Sequence, residues 1–250
     1  FKPGRPAVVG DVAVAPMAVI EAAARRAGVP LARFGHEISI EGGTELAVEV
    51  GGRRIAGLRL GLRGAHQARN AALAVAAVER FAPGEIADAD IRVGLESVRW
   101  PGRMETVCRS PLVVLDAAHN VDSAIVLARE LSRLVEGRAV HLVFGVLGDK
   151  RWAEMIDVLA PHVARVTVTK VPVARGEAPE IVARRFAGYC PTDVVGDPKD
   201  AVGRAIARAL HSDAVVVAGS VFLIGAVYSM FDPGAGASVP RADDGGQPTV

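Results

Sequence analysis

The second part of the chain alternates short apolar runs with longer segments of helical periodicity, and this alternation limits the possible folds more than any other feature. The apolar runs lie at 112–115, 140–144, 165–169, 193–195 and 214–218, and helical segments follow at 123–135, 152–159, 179–186, 201–210 and 220–230. Strands that are joined through helices run parallel, and such crossovers are right-handed. The pattern predicts an α/β fold with a Rossmann-like, doubly wound sheet, to which 103–108 can add an edge strand.

The first hundred residues follow a different pattern. They predict a strand at 7–9, a helix at 17–27, a hairpin of 46–50 with 55–60, and helices at 65–81 and 89–98. The Pro-Gly turn within 100–103 predicts a boundary between two domains, at 1–100 and 101–231. Residues 232–250 are rich in proline, glycine and aspartate, and we expect them to be a disordered tail.

Composition excludes several classes of protein. Half of the 250 residues are hydrophobic but only 4% are aromatic, so small aliphatic side chains must form the core. The formal net charge of +1 gives no basic field for nucleic acid, and no apolar run is long enough to cross a membrane. Two distant cysteines without a CxxC motif favour a reducing cytoplasm.

Polar and charged residues follow the apolar runs where the strands of a parallel sheet would end. They are Asp116, His119 and Asn120 after the first run, Gly145, Asp149 and Lys150 after the second, Lys170 and Arg175 after the third, and Gly219 and Ser220 after the last. The carboxyl ends of parallel strands lie at one edge of a sheet, where ligands bind. This set predicts a site for a small, charged ligand.

Each of these residues also has a purely structural interpretation. Asp116, Asn120 and Ser220 can cap the helices that follow them, and a single histidine such as His119 is more often structural than catalytic. The phosphate-binding patterns GxxxxGK[ST] and GxGxxG and the zinc pattern HExxH are all absent from the 250 residues. The residue types alone leave both interpretations open.

Six motifs, taken together and in order, indicate a family. They are FKPGRP at 1–6, GAHQARNA at 64–71, PGRME at 101–105, DAAHN at 116–120, DK at 149–150 and GSVFLIG at 219–225. In this order they resemble the C-terminal part of folylpolyglutamate synthase/dihydrofolate synthase, within the Mur ligase family. Ala117 stands where that family usually has glycine.

The resemblance implies an ATP-dependent ligase. In this family ATP phosphorylates a carboxylate of folate or dihydropteroate, and the amino group of L-glutamate attacks the acyl phosphate to form an amide. The resemblance implies that ATP lies between a central and a C-terminal domain, where it contacts Asn70, Arg103 and Asp116. It implies catalytic roles for His119, Lys150 and Ser220, with His119 and Ser220 on the glutamate side of the cleft.

By the same resemblance, residues 1–100 correspond to the end of the central ATP-binding domain. We expect its P-loop, the ligands of Mg²⁺ and a modified lysine upstream of Phe1, so that this chain alone would be inactive. We expect a monomer whose partners are these small molecules, with neither nucleic acid nor membrane among them.

Two alternatives remain: a binding module for nucleotide or amino acid without catalysis, and a Mur-type ligase that builds cell-wall peptide. Whether the enzyme adds the first glutamate, extends a polyglutamate tail or does both is left open.

Overall fold

The computed structural model describes residues 1–135 and 137–231, and the chain divides after Arg99 into two compact units. The segment 232–250, which we expect to be disordered, lies outside the described residues. No helix in the described part combines the length and the apolar character that a bilayer crossing requires.

The first unit combines a short parallel pair of strands with an antiparallel sheet, and its longest helix packs on both. Its elements are β1 (Ala7–Val9), α1 (Val14–Ala27), β2 (Leu31–Arg33), β3 (Ile38–Gly42), β4 (Leu46–Val50), β5 (Arg53–Leu58), α2 (Ala65–Phe81) and α3 (Asp88–Ser97). β1 pairs with β2 in parallel, and β4 pairs with β3 and β5 in antiparallel fashion. Helix α2 buries Ala71, Ala72, Val75 and Ala76, and these small side chains allow close packing on the sheets.

The second unit is a six-stranded sheet in the order β10-β9-β8-β11-β7-β6, and all its strands are parallel except β6. Its strands are β6 (Glu105–Arg109), β7 (Leu112–Leu115), β8 (Val140–Phe144), β9 (Arg165–Val168), β10 (Thr192–Val194) and β11 (Ala214–Ala218). Its helices are α4 (Val121–Leu134), α5 (Trp152–Leu159), α6 (Pro179–Phe186), α7 (Pro198–Arg208) and α8 (Val221–Tyr228). The predicted doubly wound parallel sheet is confirmed, with β6 as the antiparallel edge strand.

Helices cover both faces of this sheet. α4, α5 and α6 pack on one face around Leu127, Met155 and Phe186, and α7 and α8 pack on the other around Val202 and Leu223. Because both faces are covered, β11 is buried along its whole length. The chain passes from β7 to β8 and then outward to β9 and β10. It then returns to place β11 between β7 and β8, so the direction in which strands are added to the sheet reverses there. In open α/β sheets ligands bind beside such a reversal, which here lies at the carboxyl ends of β7, β11 and β8.

Gly219 lies directly after β11, and its backbone requires glycine. Its φ is 114°, and a Cβ atom there would lie 2.4 Å from the carbonyl oxygen of Gly145. We therefore predict that Gly219→Ala lowers the free energy of unfolding by at least about 2 kcal/mol, through backbone strain and overpacking. Urea unfolding followed by circular dichroism measures this change.

Gly225→Ala is the matched control for this prediction. Gly225 lies within α8, and a Cβ atom there would meet nothing within 4 Å. We expect the control to keep its stability or to gain up to about 1 kcal/mol from helix propensity. Equal loss of stability in the two variants would show that the backbone at Gly219 is not constrained as described.

Candidate functional site

The loops at the carboxyl ends of β7, β11 and β8 are joined by backbone hydrogen bonds that continue beyond the strands. Asp116 N–H donates to the Val217 carbonyl at 3.0 Å, and Gly219 N–H donates to the Ala118 carbonyl at 3.0 Å. On the other side of β11, Gly145 N–H donates to the Ala218 carbonyl at 3.3 Å. The segments that carry the predicted site residues are therefore fixed side by side.

Asp116 is a buried carboxylate, only 8% exposed, that holds the loop preceding β6. Its Oδ2 accepts from the Met104 amide at 3.0 Å, and its Oδ1 accepts from the Ala118 amide at 2.9 Å. A third hydrogen bond, from the Ala117 amide to the Gly102 carbonyl, is 2.7 Å long. These bonds secure residues 102–104, here called the strap, against the end of β7.

Arg103 occupies the middle of the strap. Its side chain is half-buried, and its guanidinium makes no hydrogen bond or ion pair with any residue that the structure describes. The neighbouring Met104 has a φ of 46°, the one positive φ of a non-glycine residue in the described chain. A conformation of this kind costs about 1–3 kcal/mol and persists where the surroundings impose it, here through the bond to Asp116. The strap thus presents a cation that is left available for a ligand.

His119 follows Asp116 by three residues and is half-buried. Its Nδ1 lies 2.9 Å from the Ala117 carbonyl oxygen, which can only accept, so Nδ1 carries a proton. In the neutral ring this leaves Nε2 as the acceptor. Asn120, by contrast, caps α4: its side chain accepts from the Ser123 amide at 2.8 Å within a capping box.

Ser220 lies in the loop after β11, and Lys150 lies in the loop after β8. Ser220 is 1% exposed, and its Oγ accepts from the Phe222 amide at 3.1 Å as the N-cap of α8. Lys150 is half-buried with its ammonium 3.6 Å from Asp149, and Asp149 also lies 3.5 Å from Arg175. One carboxylate thus lies near two cations at this edge of the sheet, which leaves part of their charge for an anionic ligand.

Asn70 lies in the first unit, on α2, at the rim of a cavity of about 230 Å³. Its Nδ2 donates to Oε1 of the buried Gln67 at 3.0 Å, which fixes the orientation of both amides. The cavity is mainly aliphatic and is lined by Leu60, Leu62, Gln67, Asn70, Ala71, Ala74, Gly94, Leu95 and Val98. This combination of apolar walls and two side-chain amides suits a flat ring system with polar edges.

Arg103, Asp116, His119, Lys150 and Ser220 therefore share the carboxyl edge of the sheet in the second unit. In the part of the chain that the structure describes, no three His, Cys, Asp or Glu side chains converge as they would around a metal ion. The sequence did not predict a half-buried contact beside the strap, where Tyr228 donates to Glu105 at 2.9 Å and Glu105 accepts from the Gly102 amide at 2.7 Å. The Pro-Gly dipeptide signals a turn, but no local pattern signals a contact between residues 105 and 228.

Comparisons with known proteins agree with this architecture. Residues 102–221 match the model of the "Mur ligase, glutamate ligase domain" family. A dihydrofolate synthase/folylpolyglutamate synthase of Mycobacterium tuberculosis is 32% identical over 260 residues, covering 92% of this chain and 52% of the relative. The chain spans about half or less of the length of the curated relatives that it matches.

Solved structures show the same similarity in three dimensions. Mycobacterium tuberculosis folylpolyglutamate synthase complexed with ADP and AMPPCP superposes with a TM-score of 0.83 at 30% identity, over 90% of this chain and 55% of that one. A bifunctional folylpolyglutamate synthase/dihydrofolate synthase with Mn, AMPPNP and L-glutamate bound gives a TM-score of 0.79 at 28% identity, over 92% and 53%.

The fold, the strap and the matched domain together place this chain in the Mur ligase family. Within that family, its similarity is to the folylpolyglutamate synthases and dihydrofolate synthases, as the motifs predicted. Ala117, which replaces the usual glycine of the DGAHN motif, is 5% exposed and packs in the core beneath α7 and α8. The Cβ atom of Ala117 fits into this core, and the Ala117 amide still donates to the Gly102 carbonyl.

We predict that Asp116→Asn destabilises the second unit. An asparagine side chain presents one N–H₂ group, which cannot accept from both the Met104 and the Ala118 amides. A buried amide without an acceptor costs about 1–3 kcal/mol, so the free energy of unfolding should fall by that amount in urea titrations. Asp122→Asn, at an exposed position of α4, is the control and should keep wild-type stability. Equal stability of both variants would contradict the role of Asp116 as the anchor of the strap.

Proposed function

We propose that the chain forms the C-terminal part of an ATP-dependent ligase that joins L-glutamate to folate or dihydropteroate through an acyl phosphate. The observation that carries the proposal is the strap. It presents Arg103, whose guanidinium pairs with none of the residues that the structure describes, at the sheet edge where α/β domains bind ligands. Acyl-phosphate chemistry needs cations around several anionic oxygens, and it needs the reactants held in line.

Arg103 and Asp116 are proposed as nucleotide contacts. A guanidinium remains charged at any physiological pH and can hold two phosphate oxygens at once. The carboxylate of Asp116 is fixed in position by the two backbone amides that it accepts. Each carboxylate oxygen can accept more than one hydrogen bond, so a carboxylate held in this way suits the hydroxyl groups of a ribose.

Asn70 is proposed to contact the base of the nucleotide within the first unit. The aliphatic walls of its cavity can cover the faces of a purine, while the amide offers a donor and an acceptor to the ring edge. Because the hydrogen bond to Gln67 uses one donor of the amide, the other donor and the carbonyl oxygen keep a defined direction.

His119, Lys150 and Ser220 are proposed to serve the glutamate side of the reaction. Lys150 supplies a cation for a carboxylate of the incoming amino acid. The Nε2 atom of His119 can accept a proton from the attacking amino group, since Nδ1 is held by the Ala117 carbonyl. Ser220 is buried and caps α8, so its role is to position the loop that follows β11.

The residues described here do not by themselves fit a divalent cation, because no three suitable side chains converge. We therefore derive no step through a metal ion, and expect Mg²⁺ to be held with ATP by residues outside this set. Both cysteines, Cys108 and Cys190, are free thiols, and this favours a reducing compartment such as the cytoplasm.

The test of the proposed function is an assay of the complete reading frame that encodes these residues. We expect ADP release that requires both L-glutamate and an acceptor. Turnover with dihydropteroate would indicate addition of the first glutamate, and turnover with a folate would indicate extension of a polyglutamate tail. The 250 residues alone should release no ADP, since the GxxxxGK[ST] loop is absent from them. ADP release with a cell-wall precursor peptide instead of either pterin compound would overturn the assignment, as would the absence of any glutamate-dependent turnover.

Arg103→Ala tests the nucleotide assignment in the same assay. Loss of charge-assisted hydrogen bonds of about 1.5–3 kcal/mol should raise the KM for ATP, or lower kcat, by at least about tenfold. Arg109→Ala is the control, because Arg109 is an exposed arginine on β6 of the same unit. Unchanged ATP kinetics in Arg103→Ala, or the same loss in both variants, would show that Arg103 does not hold the nucleotide.

A further inference from the structure

A second carboxylate holds the strap in addition to that of Asp116. Glu105 directly follows the strap as the first residue of β6, and its Oε2 accepts from the Gly102 amide at 2.7 Å. On the other side of Arg103 in the chain, Asp116 accepts from the Met104 amide at 3.0 Å. Both neighbours of Arg103 are thus bound through their amides to carboxylate oxygens. The direction in which the strap presents Arg103 therefore depends on both carboxylates.

The two carboxylates differ in what fixes them. Asp116 is buried, and it accepts from two backbone amides. Glu105 is only half-buried, and a glutamate side chain loses much rotamer entropy when it is held in one conformation. Such a side chain keeps one conformation only where further contacts hold it. The bond from Glu105 to the Gly102 amide therefore needs a second contact to keep its direction.

Tyr228 supplies this second contact. It is the last residue of α8, and its hydroxyl donates to Oε1 of Glu105 at 2.9 Å. Because Oε2 accepts from the Gly102 amide, each oxygen has its own donor, and the two bonds together fix the plane of the carboxylate. The Tyr228 ring packs against the core around Val202 and Leu223, so the hydroxyl is itself held in place.

Helix α8 contacts the strap at a second point. Gly102 has a φ of 69°, and a Cβ atom there would lie 2.7 Å from Cγ2 of Ile224. Ile224 and Tyr228 are four residues apart, so they lie on one face of α8. The same helix begins at the loop after β11, where Ser220 is its N-cap. α8 therefore links the strap to that loop.

We propose that Tyr228 is a positioning residue for the nucleotide. Through Glu105 it sets the backbone of the strap, so that the guanidinium of Arg103 is directed at the phosphate oxygens. The inference rests on the proposed function, which assigns the nucleotide to Arg103. The phenol acts without touching the ligand. A hydrogen bond to an ionised acceptor is stronger than one between neutral groups, which suits a contact that holds a ligand-binding segment.

Tyr228→Phe tests whether the phenol holds the strap, since it removes the hydroxyl and keeps the ring in the core. In the ¹⁵N-labelled chain we expect the Gly102 amide to exchange with solvent at least about threefold faster than in the wild type, because its acceptor is no longer fixed. The Met104 amide, which Asp116 accepts, is the internal control and should exchange at its wild-type rate. Unchanged exchange of the Gly102 amide would overturn the proposal.

ATP kinetics of the complete reading frame test whether the strap in turn positions Arg103. Tyr228→Phe should raise the KM for ATP by about three- to tenfold, the effect of one hydrogen bond, and leave the KM for L-glutamate unchanged. Tyr189→Phe is the matched control, because Tyr189 also donates to a carboxylate, that of Asp157 at 2.8 Å, but follows α6. An unchanged KM for ATP in Tyr228→Phe, or the same rise in Tyr189→Phe, would contradict the positioning role.

A double variant tests whether Tyr228 acts through Glu105. If it does, Glu105→Ala combined with Tyr228→Phe should have the same KM for ATP as Glu105→Ala alone. A further rise in the double variant would show that the phenol acts by another route, and the proposal would fall. Absence of ATP-dependent turnover in the wild type would overturn the proposed function and the nucleotide role of Tyr228 together. Unchanged exchange of the Gly102 amide would overturn the role of Tyr228 alone.

Discussion

The edge of the second unit that carries the candidate site residues depends on the placement of β11 between β7 and β8. Its backbone bonds to both neighbours continue past the strand ends, through Asp116, Gly145 and Gly219. Three loops that are distant in the sequence are thereby hydrogen-bonded side by side, and each loop depends on its neighbour for its conformation. Position 219 requires glycine, because the carbonyl oxygen of Gly145 occupies the space that a side chain would need.

The carboxylate of Asp116 secures the segment that carries Arg103. Its buried oxygens hold the strap by accepting backbone amides, and the same bonds impose the positive φ of Met104. The strap in turn carries Arg103, whose guanidinium is left without a partner in the described chain. Because Asp116 and the backbone secure the strap, the side chain of Arg103 is not needed to hold it in place.

Local patterns in the sequence are sufficient to predict most of the fold. Apolar runs bounded by turns predict β7, β8 and β11 with correct limits, and the alanine-rich periodicity does the same for α2. The short strands β2 and β3 are not predicted, because β3 is recognisable only through its pairing with β4, such as Ile40 with Val48. For the site, the positions that follow the apolar runs predict which residues share an edge, but not that Asp116 accepts hydrogen bonds from the amides of Met104 and Ala118. Those bonds depend on loop geometry that no spacing of residues encodes.

The position of β11 also sets the order in which the second unit can be completed during synthesis. Ala214 pairs with Leu112, about 100 residues earlier in the chain, and also with Val140. Until the ribosome has released this last strand, β6 and β7 form one fragment and β8, β9 and β10 another, each with an unpaired apolar edge. Contacts of such long range form slowly, and exposed edges invite association with other chains. The second unit thus remains open to misassembly until β11 has left the ribosome.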